Sequence, residues 1–125
     1  MKIRIKPSQA IGRVTAPPSK SMAHRQLIAA ALGDAPRAVE HLEWSEDILA
    51  TLDCLRALGA SVTRTETGAV LGGLNPFAVE EGAVLPCRAS GSTLRFLLPL
   101  WLLIPKKRLL RLGFHPWVGK IPWRR

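Results

Sequence analysis

The chain has 125 residues, of which 47% are hydrophobic, and a mean hydropathy of +0.12. These values indicate one modest domain with an apolar core and exclude a disordered chain. The formal charge of +9 is uneven, because residues 1–100 hold eleven Lys/Arg and nine Asp/Glu whereas residues 101–125 hold seven Lys/Arg and no acid. We therefore predict two segments, a body over 1–100 and a divergent, basic, Trp-rich tail over 101–125.

Neither a membrane span nor a secretory signal is expected. The longest apolar run, FLLPLWLLIP, has ten residues and contains two prolines, which is too short to cross a bilayer. The N-terminal stretch MKIRIKPSQAIG alternates basic and apolar residues and lacks a long apolar segment. The two cysteines, Cys54 and Cys87, do not make a disulfide framework, and as lone reduced thiols they favour a cytoplasmic location.

The first half of the body begins with KIRIK, whose alternation predicts a strand at 2–6. A second short extended piece is expected at 12–19, before the prolines interrupt it. Residues 21–32 are rich in Ala, Leu, Gln and Met and predict a helix, with Gly33 in a left-handed conformation at its end. The stretch AVEHLEW predicts a strand at 38–44.

The second half of the body predicts a helix between Ser45 as N-cap and Gly59 as terminator, since its apolar residues recur at helical spacing. Two short strands are expected on either side of a turn at 67–68, and another strand at 83–89. An apolar helix follows from 90 onward. Strands that alternate with helices indicate an α/β fold.

The stretch APPSKSMAHR, at 16–25, concentrates anion-binding groups at a predicted helix start. Ser19 or Ser21 can cap the helix, whose first amides have no partner within it and lie at the positive end of its dipole. Lys20 adds an ammonium group, and Arg25, four residues after Ser21, shares its helix face. The arrangement suits a phosphate or a carboxylate. The alternative is an ordinary capped helix with solvated Lys and Arg side chains.

A second candidate anion site is SGSTLR at 90–95. Gly91 allows a ligand to approach the backbone closely, Ser92 and Thr93 offer hydroxyl and amide groups at a helix start, and Arg95 follows one turn later. The alternative is a glycine-containing turn with a Ser/Thr cap. Two such stretches in one small chain favour the anion-binding interpretation.

Other polar residues have simpler interpretations. His24 is predicted to be a structural or surface histidine and Cys54 a core residue. Glu46 and Asp47 compensate the helix dipole rather than form an acid/base pair. The sequence has no His/Cys metal spacing, no phosphate-binding loop of the GxxxxGK type and no GxGxxG motif.

Three stretches, APPSKSMAHRQLIAAAL, SEDILATLDCLRALGA and SGSTLRFLLPL, together resemble the EPSP synthase family of enolpyruvyl transferases. The most specific element is PSKS, three further residues and then Arg; the third stretch matches a G-S/T-x-x-R element. The resemblance covers about residues 1–100 and implies a partial enolpyruvyl transferase fold, an inside-out α/β barrel of repeated βαβαββ units whose first lobe is incomplete here. The related transferase that acts on UDP-N-acetylglucosamine has Lys-Asn in place of Lys20-Ser21, so the phosphoshikimate family fits better.

The resemblance also implies a reaction and a set of ligand contacts. The family transfers the enolpyruvyl group of phosphoenolpyruvate to the 5-hydroxyl of shikimate 3-phosphate, in chorismate and aromatic amino-acid biosynthesis, and releases phosphate. Lys20 would contact both substrates, Ser21 and Arg25 would hold shikimate 3-phosphate, and Gly91 would line the phosphoenolpyruvate pocket. No metal or organic cofactor is implied, and the full-length enzyme is expected to be a cytoplasmic monomer.

Several departures from the family pattern bear on activity. Family members have more than four hundred residues, and their acid/base carboxylates come from a part missing here, so no catalytic residue is assigned and the isolated chain is expected to be inactive. Ala89 replaces a polar residue, and in FHPWVGKIP the residues Trp117 and Ile121 replace arginines. A reading-frame change in the DNA, or degradation of the segment, would explain the tail from Trp101.

Two alternatives to an inactive transferase fragment stay open. The tail KKRLLRLGFHPWVGKIPWRR has cations interspersed with aromatic residues, so the chain could bind nucleic acid or an anionic surface. The chain could also bind shikimate 3-phosphate without catalysis.

Overall fold

The computed structural model describes residues 3–4, 7, 9, 11–79 and 84–104. In this part of the chain, three α-helices pack with a three-stranded sheet. The helices are α1 (Lys20–Ala31), α2 (Glu46–Ala57) and α3 (Gly91–Leu103), and the strands are β1 (Arg37–Val39), β2 (Ser61–Arg64) and β3 (Ala69–Gly72). A single 3₁₀ turn at Pro76–Ala78 follows the last strand.

The sheet has the order β1-β3-β2 and is antiparallel throughout. Arg37 pairs with Leu71 in one ladder and Val62 with Leu71 in the other, so within the described residues β3 is central and the other two strands are edges. The β2–β3 connection is closed by the Thr65 amide, which donates to the Gly68 carbonyl at 2.8 Å. Position 68 has to be glycine, since a Cβ there would collide with the carbonyl oxygen of Val39.

The helices form where the sequence predicted them. α1 begins after Ser19, and α2 carries its buried residues at helical spacing and is terminated by Gly59 with φ +94°. Ser45 occupies the N-cap position of α2, although its Oγ makes no capping hydrogen bond. The largest fully buried apolar side chains come from all three helices, from β3 and from the segment before α3: Leu27, Ile48, Leu52, Leu55, Leu71, Leu85 and Leu97.

Three predictions about local structure are wrong. Gly33 does not adopt a positive φ; α1 ends at Ala31, and the amide of its C-cap residue Leu32 donates to the carbonyl of Ile28. β1 is only three residues long because the backbone turns at His41, where φ is 58°. No strand forms over 84–89, since Pro86 cannot donate to a ladder and the chain turns at Arg88 with φ 51°.

The predictions for the two ends of the chain have mixed outcomes, because part of each end lies outside the described residues. Residues 11–19 are exposed and form no strand. The predicted strand at 2–6 lies largely outside the described residues, as do positions 105–125 of the tail. α3 itself continues past position 100 to Leu103. No helix in the described residues has the length and apolar character needed to cross a membrane.

Candidate functional site

The N-terminus of α1 is an exposed group of donors. Ser19, with extended φ/ψ of −74°/112°, is the N-cap, and its Oγ accepts from the Met22 amide at 3.4 Å. The first backbone bond of the helix runs from the Ala23 amide to the Ser19 carbonyl at 2.9 Å. The amides of Lys20 and Ser21 precede it and therefore have no acceptor within the helix. Both residues are exposed, so their amides can meet a solute.

Arg25 is directed back toward the start of α1. Its guanidinium donates to the Ser21 carbonyl at 3.1 Å, and its Cζ lies 4.8 Å from the ring centre of Phe96 in α3. The ring therefore supports the guanidinium by a cation–π contact, which is worth about 0.5–1 kcal/mol at an exposed site. One donor of the five is used by the Ser21 carbonyl, which leaves others for a ligand.

The N-terminus of α3 has a similar construction. Ser90 is the N-cap, and its Oγ accepts from the Thr93 amide at 3.1 Å. Gly91 is exposed, and a Cβ built on it would meet no described atom within 4 Å. Its φ is not positive either. Neither backbone conformation nor packing within the described residues therefore requires a glycine at this position, which leaves room for a molecule above the backbone.

A buried polar network connects the two helix starts. His24 Nδ1 lies 2.7 Å from Thr51 Oγ1, Thr51 Oγ1 lies 2.9 Å from Thr93 Oγ1, and the Thr93 hydroxyl donates to Ser90 Oγ at 2.7 Å. The Asp47 carbonyl oxygen lies 3.1 Å from the Oγ1 atom of each threonine. Because a hydroxyl has one proton, the Thr93 hydroxyl cannot donate to this carbonyl while it donates to Ser90 Oγ. Each of these helical residues lies in the first six positions of its helix, so the network fixes the starts of all three helices relative to one another.

Burial disfavours the charged form of His24 within this network. Burial lowers the pKa of His24 below its ordinary value of 6.5; the Asp47 carboxylate opposes this shift and the Lys20 ammonium adds to it. If the Thr51 hydroxyl donates to the Asp47 carbonyl, His24 must donate from Nδ1, so Nε2 is left as an acceptor. That atom is buried and has no partner among the described residues. The ring also packs against Phe96, with centroids 5.5 Å apart.

The electrostatics distinguish α1 and α3 from α2. The first turns of α1 and α3 contain no acidic residue, whereas α2 begins with Glu46 and Asp47. The dipoles of α1 and α3 are therefore not compensated by their own side chains. Glu46 is instead bound by Arg88 at 2.7 Å. The exposed Lys20 and Arg25 add positive charge in the first half of α1, and the exposed Arg95 adds it in the first half of α3.

The structure supports some residue interpretations and adds residues that the sequence did not indicate. His24 is structural and buried, and Cys54 is a core residue, as predicted. Thr51 and the network it forms were missed, because its partners lie 27 and 42 residues away in sequence. The local signal was a threonine within the apolar face of α2. Trp117 and Ile121 lie outside the described residues.

Two grooves lie away from these helix starts. One of about 620 Å³ is formed between the second half of α1 and β1, and is lined among others by Gln26, Arg37 and Glu40. It includes none of the predicted ligand residues, which lie on an open surface. The described ranges also contain no group of three His, Cys, Asp or Glu side chains placed to hold a metal ion.

Comparisons of the sequence and of the structure with known proteins find similarity to the same kind of protein. Residues 5–111 match the family model described as EPSP synthase (3-phosphoshikimate 1-carboxyvinyltransferase). The chain is similar to the 3-phosphoshikimate 1-carboxyvinyltransferases of Clostridium beijerinckii (42% identity, covering 78% of this chain and 24% of the relative) and Korarchaeum cryptofilum (36%, covering 78% and 23%). It is also similar in structure to EPSP synthase from Acinetobacter baumannii, with a TM-score of 0.61, 26% identity and coverage of 72% and 21%. The chain spans about a quarter of the length of these curated relatives.

Proposed function

Because this chain belongs to the EPSP synthase family, we propose that it is the N-terminal part of an enolpyruvyl transferase that binds its two anionic substrates at the starts of α1 and α3. The reaction would transfer the enolpyruvyl group of phosphoenolpyruvate to the 5-hydroxyl of shikimate 3-phosphate with release of phosphate. Membership confirms the resemblance carried by residues 18–25 and 91–95, and the structural similarity confirms an incomplete EPSP synthase fold of the α/β class.

The observation that carries this proposal is the pair of uncompensated helix starts held together by the buried network. Both substrates carry phosphate and carboxylate groups, which are stabilised by helix N-termini, by ammonium groups and most strongly by guanidinium groups. Since the network fixes the two starts relative to one another, the donors need little reorganisation when the anions bind. Preorganised donors of this kind favour both binding and transition-state stabilisation.

We propose individual roles from the family resemblance. Lys20, at the tip of α1, would contact both ligands. Ser21 and Arg25 would hold shikimate 3-phosphate, since the Arg25 guanidinium is already directed toward Ser21 by its bond to that residue's carbonyl. Gly91 would line the phosphoenolpyruvate pocket, where the open space above its backbone suits a ligand.

The isolated chain is proposed to bind but not to turn over. It spans about a quarter of its relatives, and no catalytic residue is assigned to it. Positioning two anions between two lobes supplies much of the catalytic effect, and a chain that contains only part of the positioning groups cannot form that geometry. The full-length enzyme would be a cytoplasmic monomer without a metal or organic cofactor, and the segment 101–125 would be a divergent tail.

Calorimetric titration of the 125-residue chain with shikimate 3-phosphate tests the proposal. We expect saturable binding that Arg25→Ala weakens at least tenfold. Arg37→Ala is the matched control, because Arg37 is also an exposed arginine but lies beside Gly33, at the opposite end of α1 from Lys20. Equal weakening by both variants would contradict the assignment of Arg25.

Two further measurements separate the alternatives. A phosphate-release assay with both substrates should show no turnover, and robust turnover by the chain alone would overturn the proposed inactivity. The basic-tail alternative would be favoured by two results together. The chain would not bind shikimate 3-phosphate, and it would bind duplex DNA in a salt-dependent manner that is lost on deleting 101–125.

A further inference from the structure

The two cysteines, 33 positions apart in sequence, are neighbours in the fold. Cys54 lies in α2 and Cys87 in the segment that leads into α3, and their Sγ atoms are 3.7 Å apart. Both side chains are buried and both thiols are free. Composition alone had suggested two unrelated thiols, so the contact is a finding of the structure.

The segment that carries Cys87 is a turn fastened to α2. The Ser90 amide donates to the Cys87 carbonyl at 3.0 Å, and Arg88 within the turn has a φ of 51°. The Arg88 guanidinium binds the carboxylates of Glu46 and Asp53, which both belong to α2. These ion pairs hold the turn where its cysteine sulfur faces that of Cys54.

The sulfur separation is close to what a disulfide needs. A bond of about 2.05 Å requires the two atoms to approach by roughly 1.7 Å, which side-chain rotation and a small shift of the turn can provide. We propose that Cys54 and Cys87 form a dithiol site that a small disulfide such as oxidised glutathione converts into an intramolecular disulfide, linking α2 to the N-cap turn of α3. This proposal does not rest on the proposed transferase function.

The reaction proceeds by two thiol–disulfide exchanges. The Cys87 thiolate attacks one sulfur of oxidised glutathione and displaces a glutathione thiolate, which takes up the proton that Cys87 lost. The Cys54 thiolate then attacks Sγ of Cys87, forms the protein disulfide and displaces the second glutathione. Two protein thiols are thereby oxidised by two electrons, and one glutathione disulfide is reduced to two thiols.

The environment favours Cys87 as the first nucleophile. With the Cys54 thiol as the donor in the contact between the two sulfurs, the hydrogen bond lowers the pKa of Cys87, and the same hydrogen bond together with burial raises the pKa of Cys54. Arg88 and Ala89, which follow Cys87, are exposed. Lifting the turn therefore brings Cys87 to solvent, whereas exposing Cys54 requires α2 to move.

The test is equilibration of the 125-residue chain in buffers of reduced and oxidised glutathione, followed by acid quenching and mass spectrometry. We expect the main oxidised product to be lighter by two hydrogens, with peptide mapping that joins positions 54 and 87. The effective concentration of one thiol toward the other should be at least tenfold higher in native buffer than in concentrated urea, because folding holds the sulfurs together.

The single variants Cys54→Ser and Cys87→Ser serve as controls and should yield only the mixed disulfide with glutathione. The proposal is overturned if the native and urea values are equal, if the wild-type chain accumulates mainly the mixed disulfide, or if it yields disulfide-linked dimers. Because the decisive comparison uses the wild-type chain, a folding defect in either variant does not affect the conclusion.

Discussion

Replacing Thr51 by valine would measure how strongly the buried network stabilises this fold. Valine keeps the shape of threonine but removes the hydroxyl that contacts His24 at 2.7 Å, Thr93 at 2.9 Å and the Asp47 carbonyl at 3.1 Å. The Thr93 hydroxyl still has Ser90 Oγ and the same carbonyl within hydrogen-bonding distance, so it keeps an acceptor. The Nδ1 atom of His24, which is 1% exposed, loses its partner.

One unsatisfied buried donor costs about 1–3 kcal/mol, and the extra buried methyl group recovers a part of it. We therefore expect Thr51→Val to lower the free energy of unfolding by about 2 kcal/mol. A urea titration followed by far-UV circular dichroism would detect this as a shift of the midpoint by about 1 M. The slope of the transition should not change.

Thr63→Val is the matched control for this measurement. Thr63 lies in β2 and is exposed, so the same chemical change should alter the free energy of unfolding by less than about 0.5 kcal/mol. If Thr51→Val costs no more than Thr63→Val, the network does not stabilise the fold and the argument that it preorganises the helix starts is wrong.

Three further predictions use other residues of the site and fold. Burial lowers the pKa of His24, so below about pH 6.5 the unfolded chain binds a proton that the folded chain does not. The free energy of unfolding should therefore fall as the pH drops through that value. Urea titrations at several pH values measure this dependence, and part of it should be absent in His24→Gln. Phe96→Leu removes the ring beneath the Arg25 guanidinium, so calorimetry should show severalfold weaker shikimate 3-phosphate binding with unchanged helix content, and unchanged affinity would deny the ring a positioning role. Gly68→Ala should destabilise the chain by more than about 1 kcal/mol, because the added Cβ meets a β1 carbonyl. Gly91→Ala should leave thermal stability unchanged or raise it, and should impair only phosphoenolpyruvate binding. A loss of stability in Gly91→Ala would contradict the open space above that residue.

The helices, and the closeness of the candidate ligand residues to the helix starts, could be predicted because their signals are local. Ser19 and Ser90 precede apolar runs, and each caps the helix that follows it. The proposed ligand residues lie within a few positions of those caps. A cap, a basic residue and the next turn of the helix all fall in one short window of sequence, so their proximity does not depend on the rest of the fold.

The parts that could not be predicted depend on contacts between distant segments. The strand expected at 83–89 has the composition of a strand, but Pro86 and the positive φ at Arg88 break it, and ion pairs to α2 hold the resulting turn. The contact between Cys54 and Cys87 likewise arises only after α2 and the turn have packed together. The residue pattern within one segment does not indicate which distant segment it will contact.

The strand order leaves two edge strands, which bear on whether copies of this chain can pair with one another. Within the described residues, β1 and β2 each pair on one side only, which leaves backbone donors and acceptors available to another sheet. Each edge is very short and carries an exposed arginine, Arg37 or Arg64, and Arg64 also stacks on Trp44 with its Cζ 4.3 Å from the ring. Two such edges would bring like charges together, so we expect the arginines to oppose sheet-to-sheet polymerisation of this piece of the fold.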